Sequence, residues 1–390
     1  MPIIIHGVLK QKEFKKPDGT SYLTFSSPSS FTLAVNNTTK NWDGTLEYYN
    51  NGVWTTWDGI TTLSSEQYYD NYVLYLRGIG NTVITGNSDS YKWVLTGSDI
   101  SCIGNIETLL DYATVEAGNH PTMGDYCYFA MFFGCTSLIQ APELPATTLG
   151  SYCYAGMFFG CTSLIQAPEL PATTLASYCY LSMFVGCTGL TQAPELPATT
   201  LADYCYSTMF RECTSLIQAP ALPATTLVSN CYYCMFSECT ALTQIPALPA
   251  TTLADYCYFQ MFCLCRSIKL SSTKTGEYTQ SYTIPFSGTG TTATNALTDM
   301  FDSTGGTFTG TPEINTTYYL SSDNMIVRDN DVATLNGYVS SMIENANAMQ
   351  KADSFVENDI VIFDANGNAS DSNMKFVLNE DNSLTLQITV

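Results

Sequence analysis

The chain has 390 residues, of which 45% are apolar and 13% charged, and its formal net charge is -21. That length suffices for two or three domains of about 100–200 residues each. The acidic charge argues against nucleic acid, which requires a basic face, and against anionic membranes. No window of about 20 apolar residues predicts membrane insertion, and residues 1–7 show no Sec signal. Only two histidines, His6 and His120, are present, which disfavours most acid–base and zinc-hydrolase chemistry.

Residues 1–98 contain short apolar and β-branched runs that are separated by turn residues. This spacing predicts a compact antiparallel β-sandwich. Alternation along a strand at 53–57 predicts that Trp54 and Trp57 lie on opposite faces of the sheet. The predicted strands are 22–25, 31–35, 46–49, 53–57, 73–77, 83–85 and 93–96.

A 26-residue repeat dominates residues 99–320. A fixed period in the twenties predicts a solenoid, in which each unit buries its apolar face against its neighbours. Residues 99–124 are expected to form an entry cap. Residues 269–320 are expected to form a degenerate exit cap, because the step from Met261 to Met300 is 39 residues, one period plus a 13-residue insertion. Two cysteine columns follow the period: Cys127, Cys153, Cys179, Cys205, Cys231 and Cys257, and Cys135, Cys161, Cys187, Cys213, Cys239 and Cys265.

Each repeat divides into two segments. Cys153, Met157 and Cys161 are spaced four residues apart, which predicts a short helix. Pro168 and Pro171 then forbid helix and predict an extended stretch. We expect the cysteines to be small core residues, with no disulfide, metal site or cofactor, since no Cys-x-x-Cys pair has a matching second half. The predicted repeat core comprises Cys127, Cys153, Cys179, Cys205, Cys231, Met157, Phe158 and Leu164.

Comparison of the repeat copies separates drifting positions from fixed ones. One column changes from Phe to Arg and is expected to be exposed, either as a neutral surface or as a binding face. A column of glutamates is fixed and predicts a solvated edge that resists further strand pairing. The candidate binding face comprises Phe133, Phe159, Val185, Arg211, Ser237, Glu143, Glu169 and Glu195.

Residues 321–390 are strongly acidic and predict a small helix plus β-hairpin module, so that the whole chain is expected to be a mixed α+β protein. Apolar residues at 4-3-4-3 spacing predict either a coiled-coil oligomerisation seam of about two heptads or one amphipathic helix docked on its own domain. Strands at 374–378 and 384–390 are expected to form a hairpin. The candidate oligomerisation residues are Leu335, Val339, Met342, Ala346 and Met349.

The repeated motifs Met-Phe-x-Gly-Cys-Thr-Ser-Leu and Ala-Pro-x-Leu-Pro-Ala-Thr-Thr-Leu, over roughly residues 100–320, resemble BspA-type leucine-rich repeats. Such repeats occur in surface and adhesion proteins of gut and oral anaerobes and in their phages. The segment at 360–372 resembles one in phage fibre and head-fibre proteins, although Asn373 stands where glycine is usual. The resemblance implies binding rather than catalysis, and it carries over no catalytic residue.

Two functions follow from these expectations. The first is a non-enzymatic phage virion protein, a fibre or a head or tail decoration, assembled in the bacterial host cytoplasm as a dimer or trimer. Its solenoid would bind a host-surface glycan or protein multivalently, and it would also contact other virion proteins. The alternative is a BspA-like adhesin on the bacterial cell surface, which needs an export signal that the sequence does not show. A glycan-active enzyme would need two facing carboxylates, whereas the glutamates form a regular edge.

Overall fold

The structure is a computed structural model that describes residues 16–19, 22–284 and 293–327, together with the backbone of two strands near the C-terminus. The chain forms two compact units, Met1–Asp329 and Asn330–Val390. The architecture is mixed α+β, as predicted, with strands predominating and one α-helix among the described residues. Within the described ranges, no helix is long and apolar enough to cross a membrane.

Two sheets form the N-terminal part of the first unit. One has the strand order β10-β9-β1-β7-β3-β4, with β6 also paired to β7, and the other has the order β5-β2-β8. Leu23 and Phe25 of the larger sheet share one buried core with Leu33 and Trp93 of the smaller sheet. The strands are β1 (Leu23–Ser27), β2 (Thr32–Val35), β3 (Thr45–Asn50), β4 (Val53–Thr56), β5 (Leu63–Ser64), β6 (Glu66–Tyr68), β7 (Asn71–Ile79), β8 (Trp93–Thr96), β9 (Ile100–Ile103) and β10 (Leu138–Gln140).

Six of the seven predicted N-terminal strands are present, and the prediction of a strand at 83–85 is wrong. There, the backbone N–H groups of Ile84 and Thr85 donate to the carbonyl of Cys127 at 2.9 and 3.1 Å. The segment therefore covers the start of the first repeat rather than pairing in a ladder. Trp57 is fully buried, whereas Trp54 is half-buried on the other face, as the alternation predicts.

The helix α1 (Thr108–Glu116) leads from β9 towards the first repeat and packs against β7. Asp111 interrupts it with an extended backbone (φ -153°, ψ 103°), and its carboxylate accepts a hydrogen bond from the Thr114 N–H at 2.9 Å. The helix approaches β7 so closely that a Cβ on Gly78 would lie 1.6 Å from the Leu109 carbonyl oxygen. Glycine at 78 is therefore what permits this packing.

The segment predicted as a short helix in each repeat is a chain of tight turns, so that prediction is wrong. Every fourth residue is left-handed: Tyr152 has φ +57°, Gly156 +61° and Gly160 +70°. Local bonds, such as Phe159 N–H to Gly156 O at 3.1 Å, alternate with bonds to the next coil, such as Gly160 N–H to Val185 O at 2.7 Å. A left-handed residue every four positions reproduces the helical spacing of apolar residues, but half of the N–H groups bond outside the segment.

The repeats stack through columns of identical buried rings. Tyr128 and Tyr154 lie 5.6 Å apart between ring centroids, and Phe158 and Phe184 lie 5.5 Å apart, in nearly parallel planes. The extended segments contribute mostly isolated bridges between coils. Proline recurs in those segments and has no N–H to donate, which limits the ladder there.

The stack ends in a cap of short strands. The N–H of Tyr258 donates to Ala296 O at 2.9 Å, and that of Phe262 to Met300 O at 2.9 Å, so a seventh coil follows the predicted 39-residue step. The strand orders are β13-β15-β12-β14 and β11-β16. Because β15 continues beyond residue 320 and β16 pairs with a repeat strand, the cap extends past the predicted boundary at 320. The strands are β11 (Gln244–Pro246), β12 (Lys269–Ser271), β13 (Tyr278–Thr283), β14 (Gly305–Gly306), β15 (Thr317–Ser321) and β16 (Met325–Val327).

The second unit contains an antiparallel hairpin of β17 (Met374–Leu378) and β18 (Leu384–Ile388), as predicted. The segment at 360–372 lies outside the described residues. So do the candidate oligomerisation residues, Leu335, Val339, Met342, Ala346 and Met349.

Candidate binding face

The repeat core is built from thiols, thioethers and rings, and the eight residues predicted for it are fully buried. The second cysteine column donates to the carbonyls of the preceding coil, as from Cys161 Sγ to Phe132 O at 3.1 Å and from Cys187 Sγ to Phe158 O at 3.1 Å. Burial raises the pKa of Cys205 to about 12. All fifteen cysteines are free thiols, so the columns supply small, neutral S–H donors to the interior.

Among the residues that the structure describes, no group of three or more His, Cys, Asp and Glu side chains is arranged to hold a metal ion. His120 lies beside Glu107, with Nδ1 2.7 Å from Oε2, and the Glu107 side chain is almost fully buried. This pair joins the segment that follows α1 to the residue that precedes it.

The drifting columns lie side by side on one surface, which we call the turn face: positions 129, 130, 133 and 134 and their equivalents at 26-residue steps. The ladder between coils fixes the backbone, so equivalent side chains project in parallel. Phe133 and Phe159 are half-buried, and their rings stack with centroids 4.6 Å apart and planes 11° apart. Lys92 Nζ lies 4.6 Å from the centroid of the Phe133 ring.

Two members of the predicted binding face are buried, which corrects the expectation that its whole drifting column is exposed. Val185 and Ser237 are each 5% exposed. Their side chains are short, and each lies in a column beside the longer side chain of Arg211, one coil away. Because coils are stacked so closely, a long neighbour shields a short side chain on the adjacent coil.

A groove of about 370 Å³, which we call the entry groove, opens on the turn face at the first three coils. Phe129, Gly156 and Leu181 line it, together with Ser182 and residues 87–89. A small cavity lined by apolar groups with a few polar ones at the edge is typical of a ligand site.

A second groove, of about 490 Å³, lies further along the stack and is charged. Arg211 pairs with Glu238 at 2.8 Å and with Glu212 at 3.1 Å. The hydrogen bond from Arg211 to Glu238 raises the pKa of the guanidinium, and the charge of Glu212 adds to this. Of these residues, Glu212 and Glu238 line the groove, together with the exposed Thr214 and Arg266. The columns at positions 133 and 134 of the turn face therefore change from aromatic and small residues at the entry to charged residues further along.

The glutamate column belongs to a different segment of the repeat. Glu143, Glu169 and Glu195 are all exposed, and none of them lines either groove. The backbone of Glu143 bridges to Asn105, where the entry cap meets the first repeat. The structure therefore separates these three residues from the aromatic part of the predicted binding face.

A further aromatic column was missed from sequence. Tyr126, Tyr152, Tyr178 and Tyr204 are half-buried, left-handed residues with ring centroids 4.7, 4.3 and 4.6 Å apart. Burial, with the neighbouring phenol of Tyr178, raises the pKa of Tyr152 to about 12. The signal was a tyrosine one residue before the first cysteine of each coil, which is lost only where Asn230 replaces it.

The rim of the entry groove was also missed, because it comes from the N-terminal sheets. Asn87, Ser88 and Asp89 precede β8 in a segment with no repeat signature, and their proximity to Phe129 follows only from the way that residues 84–93 cover the first coil. No motif in the sequence joins these two regions.

No family model matches the chain, and neither curated protein sequences nor solved structures give a match.

Proposed function

We propose that this protein is a non-enzymatic phage virion component, a fibre or a head or tail decoration, that displays an adhesive leucine-rich-repeat solenoid towards the bacterial surface. In this proposal the two N-terminal sheets form a β-sandwich, the stacked coils form the BspA-like solenoid, and residues 330–390 assemble copies into a dimer or trimer. The protein would be located in the virion and would bind other virion proteins through surfaces away from the turn face.

The observation that carries this proposal is the contrast between the inner and outer columns of the stack. The inner rings and thiols repeat almost unchanged from coil to coil, whereas the turn face varies from Phe133 to Arg211 on the same backbone position. A scaffold whose interior repeats and whose surface differs from coil to coil is suited to the recognition of a binding partner. Weak contacts on each copy would be multiplied by the oligomer and by the number of copies on a particle.

The second candidate is a BspA-like adhesin on the bacterial cell surface. The repeats support it equally well, since they require only a partner at the turn face. The two candidates differ in assembly, because a fibre needs a self-associating segment and a single-copy adhesin does not. The 4-3-4-3 spacing from Leu335 to Met349 favours the fibre.

Light scattering on two chains tests the proposal. One is the full chain, and the other ends at Asp329, where the first compact unit ends, so that β15 and β16 remain in place. We expect the full chain to be a dimer or trimer and the shortened chain to be a monomer. Circular dichroism of the shortened chain verifies its fold. If both chains are folded monomers, the self-assembling fibre is refuted and the adhesin takes its place.

A further inference from the structure

The larger N-terminal sheet has a second apolar side, away from the core that it shares with the smaller sheet. The residues on this side form a cluster that is separate from the main core. The outer side of an antiparallel sheet commonly faces water and carries polar residues. Here it carries five aromatic rings and a valine, which we call the outer aromatic cluster: Tyr22, Tyr49, Val73 and Tyr75, with Trp54 and Tyr68 packed against them.

The rings of the outer aromatic cluster contact one another across several strands. Tyr22 and Tyr75 meet edge to face with their centroids 5.2 Å apart, and Tyr49 meets Trp54 in the same way at 5.3 Å. Aromatic pairs favour this arrangement. The guanidinium of Arg77 lies 4.2 Å from the centroid of the Trp54 ring. The cluster is therefore a packed surface with an ordered border.

The central residues of the outer aromatic cluster are nearly buried. Tyr75 is 3% exposed and Tyr49 is 7% exposed. Among the described apolar residues, those that pack against the central ones are Trp54 and Tyr68, and both are themselves half-buried. An apolar patch of this kind on the outside of a sheet marks a surface that another segment covers.

The N-terminal part of the chain leads directly to this cluster. The hydroxyl of Tyr22 donates to the carbonyl of Pro17 at 3.5 Å. Phe14 precedes Pro17 by three residues, so the Cα atoms of these two residues are within about 11 Å of each other. Residues 1–15 lie outside the described part of the chain. Their sequence includes six large apolar residues: Ile3, Ile4, Ile5, Val8, Leu9 and Phe14.

The charges of the segment and of the sheet are also complementary. Residues 10–16 include four lysines. Glu66 pairs with Val73 in the β6–β7 ladder, so it lies on the outer side of the sheet, where it is half-buried. Among the described residues, no cation forms an ion pair with Glu66 or with the exposed Asp70. A basic segment therefore suits this side of the sheet.

We propose that residues 1–15 dock on the outer aromatic cluster of their own chain, with the ring of Phe14 against Tyr68 and Tyr75. The docked segment covers the apolar side of the sheet and brings its lysines towards Glu66. The chain's own segment has an advantage over that of a second copy, because its short tether keeps its effective concentration in the millimolar range. This docking does not depend on the virion function proposed above.

Trypsin measures the docking, because it cuts after Lys15 when the segment is released from the sheet. The cleavage rate of the full chain is compared with that of a synthetic peptide of residues 1–22, which has no surface to dock on. We expect the native chain to be cut at least about tenfold more slowly than the peptide. Peptides that carry the same substitution as each variant correct for any effect on trypsin itself.

Substitutions on both sides of the contact should release the segment. Phe14→Ala and Tyr68→Ala should each raise the cleavage rate of the full chain about tenfold. Ile60→Ala, at a position that is 63% exposed and outside the cluster, is the control and should leave the rate unchanged. Circular dichroism verifies the fold of each variant.

Acrylamide quenching gives a second measurement, from the side of the sheet. Trp54 is half-buried, whereas the other three tryptophans are at most 4% exposed, so Trp54 dominates the quenching. Release of the segment by Phe14→Ala should raise the quenching constant about twofold, and Ile60→Ala should leave it unchanged.

Three outcomes overturn the proposal. The first is cleavage of the native chain at the rate of the peptide. The second is protection that persists in both Phe14→Ala and Tyr68→Ala with unchanged quenching, because the segment then docks elsewhere. The third is protection that is lost on dilution from about 50 μM to about 0.5 μM, because it then comes from a second copy.

Discussion

Raising the pH should destabilise this protein, because its cysteine thiols ionise more readily in the unfolded chain than in the folded one. The fifteen cysteines are buried, and burial raises the pKa of each one above its ordinary value, with Cys135 and Cys257 reaching about 11 and Cys205 about 12. A thiol in the unfolded chain ionises near pH 8.5. Because the native pKa is the higher one, the neutral thiols stabilise the fold fully below pH 8.5. That stabilisation is lost progressively as the pH rises from there towards the native values.

The loss of stability is large because the two cysteine columns place many thiols in the core. At pH 9.5, each thiol that ionises only after unfolding lowers the free energy of unfolding by about 1.4 kcal/mol. The twelve cysteines of the two columns together remove about 17 kcal/mol, which exceeds the 5–15 kcal/mol that stabilises a typical domain. We therefore expect the free energy of unfolding of the stack to fall steeply between about pH 8.5 and pH 9.5 at 25 °C.

Proton release on unfolding measures the effect directly. Urea is added to weakly buffered protein containing a reductant and a pH indicator. At pH 8.5 the fifteen thiols should release about seven protons per chain, and at pH 7 about half a proton. The double variant Cys187→Ala/Cys213→Ala should release about one proton fewer at pH 8.5, while the exposed substitution Thr162→Ala leaves the count unchanged. Release of fewer than about three protons at pH 8.5 would refute the burial of neutral thiols.

Three further substitutions test the stack by urea unfolding at pH 7. Phe184→Ala removes a fully buried ring between two others and should lower the free energy of unfolding by about 3–5 kcal/mol, whereas the exposed Ile165→Ala should change it by less than about 0.5 kcal/mol. Arg211→Ala removes partly exposed ion pairs and should cost less than about 1 kcal/mol, a difference that 1 M NaCl abolishes. Asn230 has a left-handed backbone, with φ +56°. Asn230→Ala should therefore lower the free energy of unfolding by about 1 kcal/mol, and Asn230→Gly should lower it by less.

The repeat period, six of the seven N-terminal strands and the 39-residue step into the exit cap could be predicted from sequence because each leaves a pattern in one dimension. The turn segment could not, because residues four apart share a face in a helix and also in a series of turns with a left-handed residue at every fourth position. Glycine at 156 and 160 was compatible with the turns, but Tyr152 occupies the same conformation at φ +57° and gave no such indication. In this segment the bonds between coils, rather than local propensity, determine the backbone.

The candidate site was predictable only in part for a related reason. Drift along a column indicated a surface position, and Phe133, Phe159 and Arg211 are indeed partly exposed. Variation at one position does not indicate how long the side chains on adjacent coils are. The burial of Val185 and Ser237 therefore could not be predicted from the sequence. The contribution of residues 87–89 to the entry groove could not be predicted either, since these residues come from a different part of the chain.

The turn face can vary because the hydrogen bonds that set its backbone do not involve its side chains. Coils are joined there by bonds between backbone groups, such as Phe158 N–H to Met183 O at 2.9 Å, and by the inner rings and thiols. A change of side chain on the outside therefore alters neither the ladder nor the core.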